Sequence, residues 1–279
     1  MIVAIIGIGL IGGSMALALR ELGVASKVIG VEASEEHRKK AVELRLVDET
    51  AELEEAVAAA DLVIVAIPVH STEELLPRLL DLVDNQVVMD VSSTKETILN
   101  AVAAHPKRGR FVSTHPMWGT EYSGPEAAVR NAFHGKVTVI TGKEQSAGSA
   151  VEMVEDLYRK LGMTILYLDA AAHDIHAAYV SHISHITSFA LANTVLEKEK
   201  EEDTIFAMAS AGFESTVRLA KSNPAMWVQI FMQNRENILD VLNEHISQLR
   251  KFKSCLEKEN ESYLAELIVN ANKIRKILT

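Results

Sequence analysis

Short apolar runs alternate with amphipathic stretches over the first 168 residues of the chain. A run that is apolar throughout is typical of a strand covered on both faces, and apolar positions spaced three and four apart are typical of helices. The pattern predicts strands at 2–6, 27–31, 62–67, 86–90, 110–113, 136–141 and 164–168, and helices at 34–44, 71–82, 95–104 and 145–161. This alternation predicts an α/β, doubly wound, Rossmann-like domain with a parallel sheet and helices on both faces.

The strand pattern stops after residue 168, and the rest of the chain is typical of helices. We therefore predict a nucleotide-binding domain at 1–169 and an all-helical dimerisation domain at 170–279. Apolar residues recur at helical spacing along one predicted face, at Met226, Ile230, Ile238, Leu242, Ile246 and Leu249. Because a small helical domain buries little surface by itself, a homodimer formed through this domain is expected. The charged run 197–203 is expected to be a helix end or a loop.

A glycine-rich turn follows the first predicted strand and opens the first helical pattern. Its Gly7, Gly9 and Gly12 have the spacing at which backbone amides can meet a pyrophosphate. The loop, including Leu10 and Ile11, is thus predicted to bind a dinucleotide.

An acidic residue, Glu32, follows the second strand, 20 positions after Gly12, where a carboxylate can bind ribose hydroxyls. A carboxylate there would repel a 2′-phosphate, which favours NAD over NADP. Two alternatives stay open: Glu32 could cap the next helix, and the basic run 38–40 could assist a phosphate.

Composition narrows the class of protein. The chain has 48% hydrophobic residues and a net charge of −10, which fits a globular protein with small-molecule partners and argues against nucleic-acid binding. The first apolar run is interrupted by glycines too early for a secretory signal or a membrane span, so we expect no membrane partner and a cytoplasmic location. The single cysteine, Cys255, excludes an internal disulfide and a thiolate zinc cluster.

Polar residues follow several predicted strands, at the edge where α/β sheets bind substrates. His115, held by Pro116 at a strand end, is the strongest catalytic candidate because an imidazole can accept a proton near neutral pH. Ser92 and Ser93 could contact substrate or cap the helix starting at Lys95. Pro68 lies at the end of another strand and is a candidate cofactor contact.

The helical half carries further polar residues, in 173–176, 181–185 and 212–218. His173 and His176 could share a helix face, but no clear set of metal ligands accompanies them, so we expect no metal. His173 and Asp174 could equally form a helix cap. Arg218 lies among small and apolar residues, where a guanidinium often meets a structural carboxylate or an anionic ligand.

Taken together, these motifs resemble the prephenate and arogenate dehydrogenase family of tyrosine biosynthesis over nearly the whole chain. The segments that carry the resemblance are 7–14 (GIGLIGGS), 66–68 (AIP), 90–95 (DVSSTK), 115–119 (HPMWG), 173–174 (HD), 181–185 (SHISH) and 212–218 (GFESTVR). The resemblance implies NAD-dependent oxidative decarboxylation of prephenate, or of arogenate as the alternative. A 3-hydroxyacid-type dehydrogenase, a pyrroline-carboxylate reductase and a nucleotide-sensing module without catalysis are weaker alternatives.

The resemblance also implies roles for single residues. His115 would accept the proton of the ring hydroxyl, with Ser92 or Ser93 touching that hydroxyl or the nicotinamide. Arg218 would hold a substrate carboxylate, with His185 nearby. The chain departs from the family pattern at Trp118, often a small residue, at Ser184, often proline, and at Ser215, often an aspartate whose role Glu214 could take.

Overall fold

The structure is a computed structural model that describes residues 1–200 and 204–277. Met1–Asn234 forms one compact unit, and the chain from Arg235 onward forms a second. The charged run begins within a helix that ends at Glu199, and its residues 201–203 lie outside the described residues.

Within the described residues, eight strands form one sheet in the order β3-β2-β1-β4-β5-β6-β7-β8. The strands are β1 Ile2–Ile6, β2 Lys27–Val31, β3 Glu49–Thr50, β4 Leu62–Val65, β5 Val87–Asp90, β6 Phe111–Pro116, β7 Val137–Thr141 and β8 Thr164–Leu168. All seven predicted strands are present. The pattern missed β3, because a strand of two residues has no periodicity to detect.

The prediction of a wholly parallel sheet is wrong at β7, which pairs antiparallel with β6 and places Ser113 opposite Thr141. A parallel neighbour needs a long crossover, usually a helix. The connection 117–136 has only a three-residue 3₁₀ turn at Pro125–Ala127, so the chain turns back instead. The other strand pairs are parallel.

Helices cover both faces of the sheet, as the doubly wound fold requires. They are α1 Leu10–Glu21, α2 Glu35–Glu43, α3 Leu53–Ala59, α4 Val69–Leu82, α5 Glu96–Val102 and α6 Gly148–Lys160. Alternate residues of β1 enter two cores: Val3 and Ile5 lie in one, Ala4 and Ile6 in the other. This is why its apolar run is continuous rather than alternating. The sequence pattern missed α3.

The described part of the chain after β8 consists of helices joined by turns. Its helices are α7 Ala170–Ala177, α8 Ile183–Glu199, α9 Ala211–Val217, α10 Pro224–Gln233, α11 Arg235–Glu257 and α12 Glu261–Ala271. A π-helical turn, Ala178–His182, joins α7 to α8. The predicted apolar stripe runs across the break between α10 and α11 at Asn234, and its end members Met226 and Leu249 are exposed. No helix in the described ranges is both long and apolar enough to cross a membrane.

Candidate active site

The glycine loop between β1 and α1 has the space that a bound pyrophosphate needs. Gly7 has φ +90°, and a Cβ on Gly12 would lie 2.0 Å from the Gly7 carbonyl oxygen, so both positions require glycine. A Cβ on Gly9 would meet nothing within 4 Å, so this side of the loop is open. Gly9 is also the N-cap of α1 without a side-chain cap, which leaves the first amides of the helix for an anion. These features fit a dinucleotide, with Leu10 and Ile11 in the first turn of the helix.

Glu32 stands beside this loop at the end of β2. One carboxylate oxygen accepts a hydrogen bond from the Ile8 amide at 3.1 Å, and the other accepts from the Ser34 amide at 3.1 Å. Each oxygen keeps a further acceptor site for a ribose hydroxyl. The cap of α2 is Ser34, whose hydroxyl accepts from the His37 amide, so the alternative that Glu32 caps this helix is wrong. The ribose role of Glu32 stays a prediction.

The basic residues that follow Glu32 are held by neighbours. Arg38 donates to the Glu32 carbonyl and pairs with Glu52 at 3.2 Å, and Lys39 pairs with Glu35 at 2.7 Å. Both lysines of the run are at least partly exposed. This arrangement favours the interpretation of 38–40 as a solvated basic face.

The serines after β5 do not cap α5, so the capping alternative is wrong. Ser92 is buried, its amide donates to Asp90 at 3.1 Å, and its hydroxyl lies 3.4 Å from the Thr72 hydroxyl. Ser93 is partly exposed at the same edge. Pro68 is exposed and is the N-cap of α4.

The amides at the start of α5 bind Asp174, which lies far along the chain on α7. The Lys95 amide donates to one Asp174 oxygen at 2.8 Å, and the Glu96 amide donates to the other at 3.0 Å. Asp174 is thus a helix cap, as one alternative held, but for α5 rather than for its own helix. A carboxylate is well suited here because the N-terminal amides of a helix carry partial positive charge.

His115 lies at the end of β6 and contacts a second histidine. Its Nδ1 is 2.8 Å from Nε2 of His173, and Nδ1 of His173 is 2.8 Å from an Asp174 oxygen. All three side chains are buried. Burial is the main cause that lowers the pKa of His115 well below its usual value, and neighbouring positive charges add to it. His115 is therefore a neutral imidazole at neutral pH.

A buried ion pair supports the strand end that carries His115. The ammonium of Lys95 is 2.5 Å from Asp90 and 2.6 Å from the Thr114 carbonyl oxygen, and Asp90 also accepts from the Thr114 amide at 3.0 Å. Both side chains are fully buried. Burial lowers the pKa of Lys95, and Asp90 opposes that shift. These bonds fix the backbone next to His115.

The helical residues form an aromatic and imidazole cluster. His185 stacks on Trp227 with ring centroids 3.4 Å apart, and His182 meets the same indole edge-on at 6.1 Å. Asn234 connects this cluster to Asp174, since its amide donates to the Asp174 carbonyl at 2.7 Å and lies 3.1 Å from Nδ1 of His182. Burial lowers the pKa of His182 to about 4.

Arg218 pairs with a carboxylate that the sequence did not single out. Its guanidinium is 2.9 Å from Glu121, whose side chain is only 12% exposed, whereas Arg218 is half exposed. Glu214, the substitute considered above, instead lies 3.8 Å from Lys221. Glu121 follows His115 by six residues on the connection after β6, so Arg218 contacts the segment that follows His115. The positive charge of Arg218 also contributes to the lowered pKa of His185, although burial is the larger cause.

The other two departures from the family pattern are structurally mild. Trp118 packs edge-on against Phe133, with centroids 5.5 Å apart, beside the buried core. Ser184 is exposed. His176 is exposed as well, and over the described residues no group of three or more histidine, cysteine or acidic side chains could hold a metal ion.

Sequence reasoning missed Glu121, Trp227 and Asn234. All three act through partners that are distant in the chain, so local spacing carries no signal for them. Of the three, only Glu121 lies close in sequence to a recognised motif, since it follows the segment 115–119.

Comparison with known proteins identifies the family. A family model described as prephenate dehydrogenase, nucleotide-binding domain, matches residues 15–167. A second, described as prephenate dehydrogenase, dimerization domain, matches residues 169–270.

Curated relatives are similar over most of their length. The prephenate dehydrogenase of Bacillus subtilis is 30% identical, over 96% of this chain and 74% of that protein. The cyclohexadienyl dehydrogenase of Zymomonas mobilis is 29% identical, over 99% of this chain and 95% of that protein.

Solved structures share the fold. Prephenate dehydrogenase from Aquifex aeolicus, in complex with hydroxyphenyl propionate and NAD+, has a TM-score of 0.89 and 29% identity, covering 100% of this chain and 98% of that one. Arogenate dehydrogenase from Synechocystis has a TM-score of 0.78 and 27% identity, with 100% of both chains covered. The resemblance inferred from the motifs is confirmed, and the chain belongs to the prephenate dehydrogenase family.

Proposed function

We propose that this chain oxidatively decarboxylates prephenate to 4-hydroxyphenylpyruvate, using NAD. The observation that carries the proposal is His115, a buried neutral imidazole at the carboxyl edge of the sheet that contains the glycine loop. The relatives named prephenate dehydrogenase and the NAD+ complex of the Aquifex aeolicus enzyme support the reaction and the cofactor. The open face of Gly9 and the carboxylate of Glu32 suit NAD, and Gly7, Gly12, Leu10, Ile11 and Pro68 complete the proposed cofactor contacts.

The protein's part in this reaction is to orient the substrate and to take a proton. NAD supplies the hydride acceptor when it is bound. His115 accepts the proton of the ring hydroxyl as that carbon is oxidised, and Ser92 or Ser93 binds the same hydroxyl or the nicotinamide. Loss of carbon dioxide then makes the ring aromatic, so orientation rather than driving force is the main catalytic task.

Arg218 provides recognition of a carboxylate. Its planar guanidinium can bind a carboxylate through two parallel hydrogen bonds, and its half-exposed position leaves it accessible while Glu121 holds one side. His185 completes the proposed substrate contacts. It stacks on Trp227, and it is close enough to Arg218 for that positive charge to add to the effect of burial in lowering its pKa. Arogenate differs from prephenate at the side-chain amino group, and it is the alternative substrate.

The test is the rate of NADH formation by the purified protein, followed at 340 nm, with prephenate and arogenate in parallel and with NADP replacing NAD. We expect turnover with prephenate and NAD. A His115→Asn variant should bind NAD normally, measured by titration calorimetry, and lose about 10²- to 10⁴-fold in kcat. Native protein that binds NAD but turns over neither substrate would refute the proposed reaction.

Three further expectations from the sequence belong to this proposal. A homodimer through the helical half is supported by the family's dimerization-domain model and by exposed apolar residues such as Met208 and Met232. Light scattering coupled to size exclusion should give twice the chain mass.

The domain boundary at 169/170 and the cytoplasmic location remain predictions. Limited proteolysis would test the boundary, and cell fractionation would test the location.

A further inference from the structure

His115 is the first member of a line of three buried side chains. The line runs from His115 Nδ1 to His173 Nε2 at 2.8 Å, then from His173 Nδ1 to Asp174 at 2.8 Å. His115 and His173 are 58 residues apart and come from β6 and α7. Their exposed fractions are 9% and 2%, so water does not compete for these bonds.

The direction of each hydrogen bond follows from Asp174, the last of the three side chains. Asp174 accepts amide hydrogens from both Lys95 and Glu96 at the start of α5, where the partial positive charge of the helix N-terminus attracts a carboxylate. An ionised carboxylate can only accept hydrogen bonds. The proton between Asp174 and His173 therefore belongs to Nδ1 of His173, and an imidazole whose single N–H is at Nδ1 carries a lone pair on Nε2.

The same reasoning fixes the proton on His115. Because Nε2 of His173 is an acceptor, the hydrogen between the two imidazoles belongs to Nδ1 of His115. A neutral imidazole has one N–H, so Nε2 of His115 carries the free lone pair.

We propose that His173 and Asp174 are positioning residues that hold His115 in its Nδ1–H tautomer and direct the basic Nε2 atom toward the substrate hydroxyl. This inference rests on the proposed role of His115 as the base. In the step, the substrate O–H bond breaks and its proton is bonded to Nε2 of His115. The resulting imidazolium keeps donating Nδ1–H to His173, and the hydrogen bond from His173 to Asp174 is unchanged.

Burial and the charges around His115 disfavour its protonated form, so a group that stabilises the imidazolium matters here. The ionisable groups near His115 are His173 and Asp174 on α7, His182 in the π-helical turn, Lys95 before α5 and Asp90 at the end of β5. Burial is the main cause that lowers the pKa of His115, and positive charge on His173, Lys95 or His182 lowers it further. His173 therefore supports the imidazolium only as an uncharged hydrogen-bond acceptor. A hydrogen-bond acceptor backed by a carboxylate stabilises the imidazolium and limits this loss of basicity.

The tautomer can be measured without turnover. Long-range proton–nitrogen NMR of the full chain labelled with ¹⁵N-histidine reports which imidazole nitrogen carries hydrogen, and loss of a signal in His115→Gln assigns it. We expect the Nδ1–H tautomer for His115 in the native protein and a loss of that preference in His173→Leu. An Nε2–H tautomer in the native protein, or an unchanged tautomer in His173→Leu, would overturn the proposal.

Kinetics provide the second readout. With prephenate and NAD, His173→Leu should lower kcat about 10- to 100-fold with little change in KM, and should move the acid limb of the pH profile to lower pH. His173→Gln, which offers an acceptor oxygen, should recover part of the rate, and His176→Gln on the exposed side of the same helix should be normal. A lower rate with an unmoved acid limb, in step with a lower melting temperature, would show a structural role only. Native protein without turnover refutes the proposed reaction, while the NMR result still decides the tautomer.

Discussion

Replacement of Gly12 or Gly9 by alanine should affect two different properties, the stability of the fold and the affinity for NAD. In Gly12→Ala the added Cβ would lie 2.0 Å from the Gly7 carbonyl oxygen and 3.1 Å from Ile5. Backbone cannot yield as a flexible side chain can, so α1 must shift from β1. In Gly9→Ala the Cβ meets nothing within 4 Å, and the backbone has φ −90°, which alanine adopts readily.

The magnitudes follow from these contacts. Overpacking at Gly12 should lower the free energy of unfolding by about 1–3 kcal/mol, which for a chain of this size lowers the melting temperature by roughly 2–12 °C. Gly9→Ala should leave stability nearly unchanged. Its methyl group would instead occupy the open side of the loop, and losing one charge-assisted hydrogen bond to the pyrophosphate, about 1.5–3 kcal/mol, weakens NAD binding roughly 10- to 150-fold.

Thermal unfolding by circular dichroism without ligand measures the first effect, and titration calorimetry with NAD measures the second. The two variants serve as controls for each other, since each adds the same methyl group to the same loop. Equal melting temperatures for both variants would refute the packing argument. Native NAD affinity in Gly9→Ala would refute the assignment of this face of the loop to the pyrophosphate.

Three other perturbations test the substrate site and its support. Arg218→Lys replaces a planar fork by a point charge, and we expect KM for prephenate to rise about tenfold, or 1.4 kcal/mol, with a smaller change in kcat; unchanged steady-state kinetics would contradict a carboxylate contact. Lys95→Met leaves Asp90 as an unpaired buried charge and should lower the free energy of unfolding by about 3–5 kcal/mol in urea titrations, whereas Lys39→Met, from an exposed pair, should change it by less than about 1 kcal/mol. Because burial lowers the pKa of His115, the basic form persists as the solution becomes acidic, so kcat/KM should stay level through the usual histidine pKa near 6.5 and fall only below it. An acid limb at 6.5 or above would contradict that shift.

Local sequence patterns were sufficient for most of the sheet. β1, β2 and β8 match the predicted bounds because each is an apolar run ended by glycine or polar residues. The direction of β7 was wrong, since the apolar pattern of a strand is the same in both directions and only the connection before it decides. The glycine loop, Glu32 and His115 could be proposed as site residues because each lies directly after a predicted strand in the sequence.

The partners of the site residues could not be predicted in the same way. His173 and Asp174 were recognised as polar, yet nothing in their spacing indicates that they reach His115 and the start of α5. The partner of Arg218 was sought at Glu214, a near neighbour in sequence, but the structure supplies Glu121, 97 residues away. Such pairings depend on which distant segments the fold brings to the sheet edge. The periodicity of apolar residues within one segment carries no information about them.

The cap that Asp174 places on α5 bears on how this family could be recombined. The two family models meet between residues 167 and 169, yet the compact unit continues to Asn234 and the cap joins residues on either side of that junction. A fragment ending at residue 169 would lose a helix cap, about 1 kcal/mol, and the hydrogen-bond partner of His115. Chimeras that exchange helical halves between relatives would exchange the environment of the base as well. Grafts joined after residue 174 should retain activity better than grafts joined at 169. In the former, His173 and Asp174 come from the same protein as the sheet residues that they contact.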